Sequence, residues 1–318
     1  MQKKSLIAIV FILTLSGAAF SQQQAQFSHN MFNNMGINPG LAGLRNSICA
    51  TAFARQQWVG FRDNEGNRVN PETYSLYADA PIRFIRGGVA LGFMQDQLGP
   101  ENNVGVNISY SYHLDLSLGR LGLGGRVGFL DKQIDFASLE PLEGDDPALS
   151  GSEENHVFTD FSLGAFYLLQ DEAWAGLSVS QLREASGQFA DAESGFSLAR
   201  HMYGTAGYHW YLPNNPDYVV SPSALIKTDF NALQIDINTM VTYNNRFWGG
   251  VSYRPQDAVV AMVGVKFDNI SFGYSYDITT SALGSMGRSY GSHEVVLQYC
   301  FDLDIDRIQE VQRNIRFL

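Results

Sequence analysis

The sequence predicts an all-β protein, a closed antiparallel transmembrane β-barrel of about fourteen strands. Three observations carry this. Residues 104–118 alternate with a period of two: Val104, Val106, Ile108, Tyr110, Tyr112, Leu114, Leu116 and Leu118 share one face, and Gly105, Asn107, Ser109, Ser111, His113, Asp115 and Ser117 the other. That run exceeds the roughly ten residues a tilted strand needs to cross a bilayer. The rhythm recurs along the chain, and long connections alternate with short ones, as in outer-membrane barrels, whereas a soluble sandwich has no reason to sort its loops.

Composition is consistent with this. The chain has 318 residues, a formal net charge of -11, 45% hydrophobic residues and a mean hydropathy of -0.11. Beyond the start, no run of about twenty apolar residues offers a spanning helix. A barrel escapes such averages because alternation hides its apolar face. The acidic balance and the lack of a Lys/Arg cluster argue against nucleic acid as a partner.

Residues 1–21 read as an export signal: Lys3 and Lys4, an apolar run from Leu6 to Leu15, then Ala19-Phe20-Ser21, with cleavage after Ser21 or after Ala19. Residues 22–47 lack a clean period and carry Asn38-Pro39-Gly40, a turn-rich segment on the periplasmic side or a plug. The barrel follows over 48–301, with strands at 48–61, 72–80, 87–96, 104–118 and 121–136. The parity of 121–136 changes around Leu130, which suggests a bulge. After a long acidic loop at 137–155 come strands at 157–169 and 173–182, a polar loop at 186–198, and strands at 201–212, 218–228, 232–243, 246–254, 259–267 and 270–278. A last long loop, 279–290, precedes the strand at 292–301. Tyr110, Tyr112, Tyr208, Trp210, Tyr243, Tyr253, Tyr274, Tyr276 and Tyr299 fall near strand ends, where aromatic belts meet headgroups of outer-membrane lipid. In the periplasmic tail 302–318, Ile305, Ile308, Val311, Ile315 and Leu318 adopt helical spacing, with acids first and Arg313 and Arg316 last.

An ordered series of motifs carries a resemblance: Phe27-Ser28, Met31-Phe32-Asn33, Ile37-Asn38-Pro39, Ala42-Gly43, then Arg55-Gln56-Gln57-Trp58-Val59-Gly60-Phe61, and Asp96-Gln97-Leu98-Gly99-Pro100 with Asn102-Asn103. Together they resemble the PorP/SprF family, outer-membrane proteins of the type IX secretion system of Bacteroidetes, over nearly the whole mature chain. Gly40 and Leu41 depart from the pattern, standing where Ala and an aromatic are expected. The resemblance implies a barrel that assists secretion or surface anchoring of a partner adhesin through that adhesin's C-terminal sorting domain. It also implies association with the periplasmic ring and peptidoglycan-linked components, and covers both PorP-like and SprF-like roles, gliding motility among them. By position, outer loops 62–71 and 137–155 would meet an exported partner, and residues 27–43 with the tail a periplasmic one. The alternative from another class is a passive or ligand-selective channel.

Cys49 lies near the start of the first strand and Cys300 near the end of the last, so closure brings both to one seam at the periplasmic rim. They form a disulfide if register puts their Cα atoms within about 7 Å, and otherwise remain two small unbonded residues. No catalytic, metal or cofactor set emerges, and the six histidines show no ligand spacing. Asp160, Asp236, Asp277, Arg126, Lys227, Lys266, Arg246 and Arg254 point inward by alternation, either as acid/base residues of a barrel enzyme or, as is usual for such interiors, as a salt-bridged lumen.

Overall fold

The computed structural model describes residues 24–303 apart from 64, 65, 67, 140–151, 171, 189–194, 282, 283, 285, 286 and 288. The expected export signal 1–21 and, past Leu303, the expected helical tail lie outside the described residues.

Alternation becomes wall. The strands are β1 (Ser47–Gln56), β2 (Glu72–Ile82), β3 (Gly87–Leu98), β4 (Glu101–Leu116), β5 (Gly119–Asp135), β6 (Glu153–Leu169) and β7 (Ala173–Ser180). They continue with β8 (His201–Tyr208, resuming after His209 as Trp210–Tyr211), β9 (Tyr218–Thr228), β10 (Leu233–Tyr243), β11 (Phe247–Arg254), β12 (Ala258–Phe267), β13 (Ile270–Thr279) and β14 (Ser292–Asp302). Each pairs antiparallel with its chain neighbours, and β14 closes on β1 with Ser47 opposite Asp302 and Gln56 opposite His293. Closure leaves no edge strand, which is what lets a sheet sit in hydrocarbon with every ladder group paired.

Side chains sort as the period requires. Leu91, Leu163, Leu177 and Val263 are 60%, 58%, 71% and 61% exposed, all outward. An apolar surface of that continuity has no place in water and fits lipid. Tyr110, Tyr112, Tyr208, Trp210, Tyr243 and Tyr299 ring the end where both termini of the barrel lie, while Tyr253 and Tyr276 sit toward the opposite rim. Beyond the barrel wall, residues Ser186–Gln188 and Gly195–Ser197 pair as a small hairpin on the outer loop between β7 and β8.

The structure corrects the bulge expected near Leu130. Register runs unbroken from Glu101 opposite Ile134 to Leu116 opposite Gly119, and from Arg120 opposite Leu168 to Asp135 opposite Glu153. Polarity inverts there because β5 has risen above the lipid. Its outward side chains join a polar ladder, in which Gln95 Nε2 donates to Asn102 Oδ1 (3.2 Å) and Asn102 Nδ2 to Gln133 Oε1 (3.1 Å). A second correction concerns Arg246, which lies exposed in the turn between β10 and β11 and not in the wall. Lys266 keeps the inward parity but sits exposed at the periplasmic end of β12.

At the seam Cys49 is the direct register partner of Cys300. Their Cα atoms are 4.1 Å apart and the sulfurs are bonded, 251 positions apart in sequence.

This geometry makes a depth-dependent expectation. Val263→Arg, mid-wall and facing lipid, should lower unfolding free energy by about 2–4 kcal/mol in lipid vesicles, whereas Gln133→Arg, outward but above the apolar band, should cost about 0–1 kcal/mol. Urea unfolding followed by tryptophan fluorescence measures both.

Candidate functional site

A barrel lined with polar side chains must satisfy them with water or with protein. Here the chain supplies its own filling. Residues 24–46 run through the lumen before entering β1, and Ser28, His29, Asn38, Leu41 and Ala42 are between 0% and 1% exposed. The segment holds one helical turn, α1 (Asn34–Ile37), and one tighter turn, Pro39–Leu41. Turns within the segment pair part of its backbone, as in Phe32 N–H to the His29 carbonyl and Ala42 N–H to that of Pro39, and the wall supplies partners for groups they leave over.

The lower half of the plug lies in a glycine-lined groove on β5, β6 and β7. Asn38 Nδ2 donates to the carbonyls of Ala165 (3.0 Å) and Leu177 (3.1 Å), and its Oδ1 accepts from Gly40 N–H (2.9 Å). A Cβ on Gly164 would lie 2.2 Å from Asn38 Oδ1, and one on Gly124 2.3 Å from the Pro39 carbonyl carbon. Wall side chains then reach the plug carbonyls. Ser178 Oγ donates to Ile37 (2.7 Å), Ser111 Oγ to Gly40 (2.8 Å) and His113 Nε2 to Ala42 (2.9 Å). The Arg126 guanidinium donates to Met35 and Gly36 carbonyls and to Ser109 Oγ.

The upper half is held by charge. Glu294 accepts from the backbone N–H groups of Ser28 (2.7 Å) and His29 (2.8 Å), and its carboxylate also meets His29 Nδ1 at 2.9 Å. Arg55 donates to Ser28 Oγ (2.6 Å), Glu294 (3.2 Å) and Asp277 (2.8 Å). Beside this, Arg254 pairs with Asp236 (2.8 Å) and Asp257 (3.0 Å), while Asn30 Nδ2 reaches Asp236 (3.2 Å) and Asn238 Nδ2 donates to Asn30 Oδ1 (3.0 Å). Arg55, Arg254, Asp277 and Glu294 are at most 2% exposed, so each charge needs its partner. Apolar contacts complete the seat: Phe27 packs at a tilt against Phe53 with ring centroids 5.2 Å apart, as does Phe32 against Trp248 at 5.2 Å, and the main buried cluster joins Met35, Leu41 and Leu44 to Tyr77, Phe166 and Val296.

The motif residues therefore separate into two places. Phe27, Ser28, Met31, Phe32, Asn33, Asn38, Pro39, Ala42 and Gly43 all belong to the plug. This overturns the expectation that 27–43 present a surface to a periplasmic partner, because the lumen buries them. Gln57, Trp58, Val59, Gly60 and Phe61 leave β1 at the outer rim as a strap across the seam. There Val59 N–H donates to Gly291 O and Tyr290 N–H to Val59 O, both at 2.8 Å. Gly60 has φ +91°, and a Cβ on it would lie 2.3 Å from the Tyr290 ring, so glycine is required twice over. Asp96 accepts from Thr73 Oγ1 (2.6 Å), and Gly99 (φ +56°) with Pro100 makes the turn after β3.

Of the inward charges read from parity, Asp236, Asp277 and Arg254 join the latch, and Arg126, Asp160 and Lys227 line a cavity above α1. Sequence reasoning missed Glu294 and His29, the centre of the latch. Glu294 had inward parity on β14 as its signal. His29 had none.

A family model described as type IX secretion system membrane protein PorP/SprF matches residues 19–299. The chain belongs to this family. Its fold is accordingly that of a secretion-system membrane barrel of the outer membrane. No curated protein matches the chain. Among solved structures it is similar to the Ralstonia pickettii toluene transporter TbuX, at 12% identity and TM-score 0.49, covering 85% of this chain and 93% of that one. It is also similar to Acinetobacter baumannii Omp33, at 8% identity and TM-score 0.43, covering 82% and 100%. At these values the likenesses carry no functional argument.

Arg55→Ala should leave the buried Asp277 and Glu294 undercompensated and lower stability by about 3–5 kcal/mol. Gly164→Val should expel Asn38 from its groove. In both variants proteinase K should cleave within 24–46 while the barrel stays protected, and Gly125→Ala, whose new Cβ meets only Leu163 at 3.8 Å, should behave as the parent.

Proposed function

We propose that this PorP/SprF protein is exported by its first 21 residues and serves as an outer-membrane platform for type IX secretion. In this reading it assists delivery or surface anchoring of an adhesin through the adhesin's C-terminal sorting domain, and associates with periplasmic ring and peptidoglycan-linked components. The observation that carries the platform reading is the filled lumen: with residues 24–46 latched at both ends, the barrel offers surfaces and not an open passage. For the same reason the passive-channel alternative is disfavoured.

The outer strap is the surface best suited to an exported partner. It is tied to both sides of the seam, carries Trp58, Phe61 and a Tyr290 that is 72% exposed, and leads into loop 62–71 with Arg62 and Arg68. Aromatic and Arg side chains are the usual anchors of binding hot spots. With the plug segment buried, short turns and the tail 302–318 are left for the periplasmic side. The Cys49–Cys300 bond would hold the seam shut at that rim in an oxidising compartment.

Affinity capture of the tagged protein from native outer membranes, read by mass spectrometry, tests this. Ring components together with an exported protein bearing a sorting domain should co-purify, and Trp58→Ala with Tyr290→Ala should lose the exported protein while retaining the ring. Capture of neither class would refute the proposal.

A further inference from the structure

Above α1, in the outer half of the lumen, the plug and the wall leave a cavity of about 160 Å³. Arg126, Lys227, Asp160, Asn107, Tyr203 and Gln181 are among its lining residues. Its two lining cations, Lys227 and Arg126, are equalled in number by two lining carboxylates, Asp160 and Asp236, yet no ion pair joins the two sets among the described residues. Lys227 is 9% exposed, yet among the described residues no hydrogen bond or ion pair reaches its ammonium. The neighbouring Asp236 is already engaged by Arg254 at 2.8 Å. Arg126, 8% exposed, spends donors on two plug carbonyls and Ser109 and forms no ion pair among the described residues. The other lining carboxylate, Asp160, accepts from Ser162 Oγ at 3.2 Å and makes no ion pair with Lys227 among the described residues. A buried ammonium without a partner is costly, and three unused donors facing a void are complementary to a small anion.

We propose that this cavity is a binding site for a small free anion, a carboxylate or phosphate of about five to eight non-hydrogen atoms, held by Lys227 and Arg126. The size follows from the volume, which resembles that of cavities that hold a benzene-sized molecule. Lys227 supplies the charge. Arg126 ties the site to the plug, because the same guanidinium holds the carbonyls of Met35 and Gly36. An anion bound there would therefore strengthen the seating of the plug, linking lumen chemistry to the state of the barrel.

The test uses the full mature chain refolded in detergent, with inorganic phosphate and succinate as probes and sodium chloride at equal ionic strength as the control. Thermal unfolding and titration calorimetry read the outcome, and heat-modifiable gel migration confirms that each variant is folded. At least one probe should bind saturably and raise the unfolding temperature beyond chloride. Lys227→Met should weaken that binding tenfold or more, Lys227→Arg should retain most of it, and Asp160→Asn should tighten it severalfold by removing the opposing charge. Absence of saturable binding by both probes, or equal binding by Lys227→Met, would overturn the proposal.

Discussion

The rest of this structure depends on the encounter between a polar barrel wall and an irregular backbone inside it. A sheet that turns every second side chain to lipid must turn the others inward, and fourteen strands make an interior too wide for side chains alone to fill. Residues 24–46 resolve both demands at once. Their unpaired N–H and C=O groups find serines, arginines and a histidine of the wall, and the wall's carboxylates find N–H groups of the plug.

The two halves of the plug are held by different physics. Around Asn38 the fit is steric: glycines on β5, β6 and β7 let the plug approach the wall closely, so affinity there resides in shape and in hydrogen bonds of ordinary length. Around Ser28 and His29 it is electrostatic, with Arg55, Asp277 and Glu294 shielded from solvent and dependent on one another. A buried ion network of this kind is costly to break at one member, because its partner's charge is then left uncompensated. It defines one position for the chain and makes partial displacement unfavourable. The plug's path also explains the two groups of motif residues, one inside the barrel and one strapping its outer seam.

Much of the wall was legible in the sequence because alternation is local. The strand read at 218–228 is Tyr218–Thr228 in the structure, and the opening run 104–118 is Glu101–Leu116. Where the reading failed, the cause was not local. The inversion at Leu130 looks the same in sequence whether a strand bulges or leaves the membrane, and only the unbroken register on both sides distinguishes them. The plug has no period, so nothing in 27–43 announces that it is buried. Glu294 meets His29 across 265 positions of sequence, a contact that barrel closure alone creates.

Residues 24–46 fill the lumen and close it to passage. Planar-bilayer recording of the purified mature chain beside a variant lacking residues 24–43 tests this closure most directly. The parent should be nearly silent, and the truncated barrel should show steady, voltage-tolerant conductance. Equal conductance from the two would contradict it.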